Sequence, residues 1–136
     1  MNPQQELFNA LSTDAAVLSK VDGDLTKISA AFPDKDMFTN ASISENFPRI
    51  TYVLDDRRHS FYVDNEPIMD ELQFSVDIWL PMTLLAERSL NEIRVEIDRV
   101  LMTIGYRKVS ESEVQIIDKK ISHLSVSYSK EFPSKL

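Results

Sequence analysis

The clearest regularity in the chain lies at residues 72–80. There Leu72, Phe74, Val76, Ile78 and Leu80 alternate with Gln73, Ser75, Asp77 and Trp79. A period of two predicts a β-strand, and its polar side predicts an antiparallel sheet covered on one face. Pro81 ends it. A second pattern follows at once. Leu90, Ile93, Ile97, Val100 or Leu101, and Ile104 recur every three or four residues, which predicts an amphipathic helix over residues 84–104. Thr83 is placed to cap its start, and Gly105 supplies the position after its end that favours a left-handed backbone. Arg88/Glu92, Arg94/Asp98 and Glu96/Arg99 pair along the wet side, at about 0.2–0.5 kcal/mol each.

Weaker patterns fill the rest. Leu7, Phe8 and Leu11 predict a short helix over residues 4–11, and Ala15, Leu18 and Val21 extend helical structure from Asp14 until Gly23. Residues 28–47 hold no sustained period and read as a long loop broken by a short strand, the kind of segment that is often functional or ordered by binding. Ile50, Tyr52 and Leu54 predict a strand, and the polar run Asp55-Asp56-Arg57-Arg58 interrupts any burial. Residues 59–70, with Pro67 and mixed charge, read as an excursion or extended hairpin arm. Two last strands are expected at 114–117 and 121–130. The sum is an α+β fold: about four antiparallel strands packed against one long helix, with a short N-terminal helix and long irregular loops. One domain is expected over 1–136, its core at about 47–132.

Composition narrows the function. The chain has no cysteine and two glycines, Gly23 and Gly105, which leaves no disulfide, no thiolate metal site and no glycine-rich phosphate loop. A net charge of −7 disfavours binding to nucleic-acid phosphates but suits a wall that DNA passes without sticking. The first residues have neither a basic nor a long apolar stretch, so no signal peptide is expected, and no apolar run reaches membrane-spanning length.

Candidate chemistry is sparse. His59 and His123 lie far apart in different elements, His59 on an exposed loop and His123 along a strand, so no histidine metal site is expected. Asp55, Asp56, Asp64, Glu66, Asp70 and Glu71 form an acidic cluster around the arm without the oxygen-ligand spacing of a calcium loop. Solvated surface is the simpler reading of that cluster. Arg57 and Arg58 beside these acids suit ion pairs between subunits or within the arm. Trp79 faces away from the apolar row of its strand. It is either part of a satellite core under residues 28–47 or an interface anchor. The candidate interface residues are Asp55, Asp56, Arg57, Arg58, Phe61, Tyr62 and Trp79. No catalytic residue, metal or cofactor is expected.

Two segments, Phe47-Pro48-Arg49-Ile50-Thr51-Tyr52 and Phe74-Ser75-Val76-Asp77-Ile78-Trp79, resemble the start of the tail-completion proteins of long-tailed bacteriophages and prophages, also called tail terminators or tail-to-head joining proteins. Glu96 to Arg107, a helix ending in glycine and an aromatic, is similar to that family's long helix. Asp118, Ile121, His123 and Ser127 to Phe132 are similar to its closing strands. The likeness spans roughly residues 47–132. It implies an α+β virion protein that forms a ring, commonly a hexamer, at the head-proximal end of the tail tube. It also implies partners in the tube protein and the head connector, DNA passing through the channel, no membrane, and no catalytic residues. Assembly would take place in the host cytoplasm. Two other readings stand beside it: a small acidic dimeric chaperone that holds an extended client, and an enzyme using the acidic cluster with a metal.

Overall fold

A computed structural model of the chain describes residues 2–39, 43–82, 86–117 and 120–134, with backbone alone at 44 and 86–88. The expected cap at Thr83, the Arg88/Glu92 pair and the role given to Asp118 lie outside the described residues. The elements run α1 (Pro3–Thr13), α2 (Ala15–Ser19), β1 (Ile28–Ala30), α3 (Ile43–Asn46), β2 (Arg49–Val63), β3 (Glu66–Pro81), α4 (Ala86–Thr103), β4 (Arg107–Glu111), β5 (Gln115–Ile117) and β6 (Ile121–Pro133). Short 3-10 turns occupy Leu25–Lys27 and Lys35–Phe38.

The α+β class stands, but the sheet is larger than the expected four antiparallel strands. Six strands join in the order β1-β2-β3-β6-β4, with β5 also on β6, and the sheet is mixed because β1 runs parallel to β2. The extra strands are short or polar. β1 is three residues long and β4 is exposed throughout, so neither writes an apolar alternation into the sequence.

Alternation sorts the two sheet faces. Ile50 and Tyr52 of β2, Leu72 to Leu80 of β3 in steps of two, and Leu124, Val126 and Tyr128 of β6 meet Leu90, Ile93, Ile97 and Leu101 of α4. Leu7 and Leu11 of α1 and Val17 of α2 join the same cluster. Thus α4 presents the expected stripe. Its end is also as expected: Gly105 has φ +98°, its amide donates to Met102 at 3.1 Å, and the Tyr106 amide donates to Leu101 at 2.9 Å. These bonds satisfy carbonyls that the last turn would leave open.

The opposite face carries a smaller cluster of Phe47, Trp79 and Ile121, covered by Met37, Phe38, Ile43 and Ile117. Residues 28–47 hold the expected short strand, β1, and otherwise do more than loop. Met37, Phe38, Ile43 and Phe47 cap the second face of the sheet while Ile28 joins the main cluster, which is why the segment follows no single period.

Candidate assembly interface

β2 and β3 form one hairpin far longer than the sequence pattern suggested. The run Asp55-Asp56-Arg57-Arg58 is exposed, as its polarity implied, and the strand runs through it. Pairing continues from Arg49↔Trp79 to Val63↔Glu66, with irregularities between Leu54 and Asp56 and around His59 to Tyr62. Asp64 and Asn65 close it with φ of 51° and 64°. Two successive positive values are what a two-residue hairpin turn matching the strand twist requires, and Asp and Asn tolerate them best after glycine. β6 accompanies β3 only as far as Met69↔Pro133, so the hairpin runs on beyond the sheet as a two-stranded arm.

The arm's root is tied down by charge. Asp70, almost fully buried, accepts from Arg57 Nε at 2.8 Å and Ser134 Oγ at 2.7 Å, and lies 2.5 Å from His59 Nδ1. The hydrogen bonds from Ser134, His59 and Arg57 hold its carboxyl well below the usual range, at about 2. Arg58 donates to Glu71 at 2.6 Å and Arg107 reaches the same carboxylate at 3.2 Å, which lowers the Glu71 pKa too. Arg57 and Arg58 thus make ion pairs within the arm. His59 is half exposed, as expected, but stands on a strand and not on a loop.

Beyond that root the arm is greasy. Phe61 is 55% exposed, Tyr62 54%, Val63 48% and Ile68 41%. Four large apolar side chains are thus exposed near the end of one projection, and exposed apolar surface of this kind marks contact with another molecule. Asp55 and Asp56 are exposed at the β2 irregularity and make no ion pair among the described residues. Burial, with the charges of Asp77 and Asp56 added, pushes the Asp55 carboxyl up.

Trp79 does not join them. Only 5% exposed, it stacks on His123 with centroids 3.8 Å apart, meets Phe32 and Phe38 edgewise, and donates from Nε1 to Thr51 Oγ1 at 2.8 Å. Of the two sequence readings, the satellite core is the one this fold adopts, so the anchor proposed at Trp79 is withdrawn. Beside it lies a polar group that the sequence did not single out. Asp77 is buried, lies 2.7 Å from His123 Nε2 and accepts from Ser75 Oγ at 3.0 Å; Ser75 Oγ is 2.9 Å from Ser125 Oγ. The acid here sits between the serine and the histidine, so the imidazole has no hydroxyl to activate in this group. It satisfies a buried carboxylate under the stacked tryptophan. Among the described residues no three His, Cys, Asp or Glu side chains converge as metal ligands. No described helix is long and apolar enough to cross a membrane.

These features define an α+β chain with a mixed sheet, α1, α2 and α4 on one face, and a projecting two-stranded arm. The sequence matches no family model and no curated protein. Its fold is similar to that of a chain in the "virion of native gene transfer agent (GTA) particle", with a TM-score of 0.60 over 94% of this chain and 92% of that one, at 10% identity.

Proposed function

We propose that this chain is a structural component of a phage-like particle. It assembles with copies of itself into a ring, a hexamer by family resemblance, that caps the head-proximal end of the tail tube and offers a docking surface to the head connector. It performs no reaction. DNA passes through the ring without specific binding, which suits the net charge of −7. The observation that carries this reading is the arm, a hairpin held rigidly at its root whose tip exposes Phe61, Tyr62, Val63 and Ile68. The likeness of fold to a chain of a gene transfer agent virion and the resemblances at residues 47–52, 74–79 and 96–107 support the choice of particle.

The direct test replaces residues 60–68 by a two-residue turn and examines particles by electron microscopy. Heads and tails that accumulate separately are the expected result. Normal particles in which the shortened chain occupies its usual place would remove the arm from the assembly.

The unpaired outer edge of β2 favours one competing reading, the chaperone, because an extended client could add there as a strand. A chaperone is a constitutive dimer that binds peptide, whereas a ring component changes size with concentration or with tube ends. Sedimentation with and without an extended peptide separates them.

A further inference from the structure

The sheet ends in two edges that no described residue pairs. On one side β1 covers β2 only at Ile50, Thr51 and Tyr52. Ala31, with φ +69°, gives its amide to the Tyr52 carbonyl at 3.0 Å, and β1 goes no further along β2. From Val53 onward the outer edge of β2 is vacant. On the other side β4 is the last strand, and all five of its residues are exposed. Vacant edges are templates for another strand, and charge or irregularity on them restricts which strand can add.

The two edges carry opposite charge. β2 presents Asp55 and Asp56, neither in an ion pair among the described residues, and β4 opens with Arg107 and Lys108, of which Lys108 bridges Asp98 at 3.2 Å and Glu111 at 3.6 Å. Arg107 reaches Glu71, yet its side chain is 69% exposed and keeps donors to spare. Asp56 stands opposite Gln73, Gln73 opposite Ser129, and Ser129 opposite Arg107, so Asp56 and Arg107 share the face opposite α4, while Lys108, opposite Tyr128, lies on the α4 face. Strand direction agrees as well. Three antiparallel steps from β2 through β3 and β6 leave β4 running against β2. Rotation about an axis along the strands preserves direction. The β4 of one copy and the β2 of the next therefore meet antiparallel, the ladder already used between these strands.

We propose that the β2 edge of one copy, from Val53 to Asp56, adds to the β4 edge of a second copy, with Asp56 against the partner's Arg107. The contact is heterologous. Each copy added leaves one vacant edge of each kind, and the sequence of contacts ends only when a ring closes. The inference rests on the assembly role above and names its surface. The acids and the irregularity that repel an arbitrary strand are the features that accept a basic one.

The test uses equal amounts of isotopically labelled and unlabelled chain, alone and in assembled particles, treated with a zero-length carboxyl-to-amine cross-linker. With Arg107→Lys, which keeps the charge and offers an amine on the face opposite α4, an intermolecular link from Asp56 to position 107 is expected. Asp56→Arg and Arg107→Asp, both exposed and checked for unchanged melting, each weaken self-association roughly tenfold, and a one-to-one mixture restores it. Assemblies cross-linked elsewhere and indifferent to both substitutions overturn the edge assignment and leave the assembly role standing. A chain that is monomeric alone and in particles overturns both.

Discussion

The root and the tip of the β2–β3 hairpin share one backbone ladder and differ in everything else. At the root every residue from Ser75 to Leu80 is buried, because α4 covers one face and the segment around Phe38 and Phe47 covers the other. At the tip, residues 60–66 are exposed without exception although three of them, Phe61, Tyr62 and Val63, are large and apolar. Pairing between β2 and β3 runs through both, although β6 flanks β3 only at the root and the tip carries two irregularities. What changes is how much apolar area leaves water, the dominant favourable term in folding. The root holds the molecule together, and the tip's apolar surface is left for a partner.

Breaking the root has the largest effect. Phe74 is fully buried between β2 and α4 and packs edgewise on Tyr106 with centroids 6.3 Å apart. Phe74→Ala should cost about 3–5 kcal/mol, the usual loss for an aromatic removed from a core that cannot collapse around the space. Urea unfolding followed by tryptophan fluorescence measures it. A loss below about 1 kcal/mol would mean that the root tolerates a cavity and is not the rigid part of the hairpin.

The junction between root and tip comes next. With its folded pKa lowered from 3.8 to about 2, Asp70 binds fewer protons in the folded than in the unfolded state near pH 3. Its stabilisation is therefore fully present above the unfolded value and lost as pH falls from 3.8 towards 2. Asp70→Asn keeps the shape but removes the charge that Arg57 and His59 meet. The variant's unfolding midpoint should lie below that of the parent at neutral pH, and the two should converge as pH approaches 2. A gap that stays constant across that range would mean that the carboxylate's charge is not what ties the arm down.

The root was legible in the sequence, and so was an extended hairpin arm at residues 59–70; the strand pairing from Asp55 to His59 was not, for physical reasons. Leu72 to Leu80 and the α4 stripe announce themselves because burial on one side imposes a period. Gly105 was readable because its φ of +98° suits few other residues. The polar stretch from Asp55 to His59 is a strand for a reason outside itself: β3 supplies the ladder, and no side chain there needs to be buried. The same holds for β4, whose Arg107-Lys108-Val109-Ser110-Glu111 carries no alternation because its outer edge faces water. Trp79 was ambiguous because its position depends on Phe32, Phe38 and Phe47, which sit in a segment with no period. The hydrogen bond from Ser134 to Asp70 joins residues too far apart for spacing to suggest it. At the candidate interface, Phe61 and Tyr62 are where the sequence reading put them, on the surface, while Arg57 and Arg58 are held by Asp70 and Glu71.

The smallest effect on stability sharpens the comparison most. Phe61→Ser with Tyr62→Ser removes two rings from a surface where each is more than half exposed. Neither ring belongs to either core cluster, and the only ring contact either makes is the edge of Tyr62 on His59 at 5.9 Å. Little apolar area returns to water on unfolding, so the double variant should keep its stability to within about 0.5 kcal/mol, the usual range for surface positions. Assembly should respond in the opposite sense, because aromatic side chains concentrate binding energy where they become fully buried against a partner. The expected pair of results is an unchanged urea midpoint and a loss of incorporation into particles. Loss of stability as large as that of Phe74→Ala would show that the tip folds back on its own chain. Unchanged stability with unchanged incorporation would assign the exposed rings to neither fold nor partner, and the contrast between root and tip would then say nothing about function.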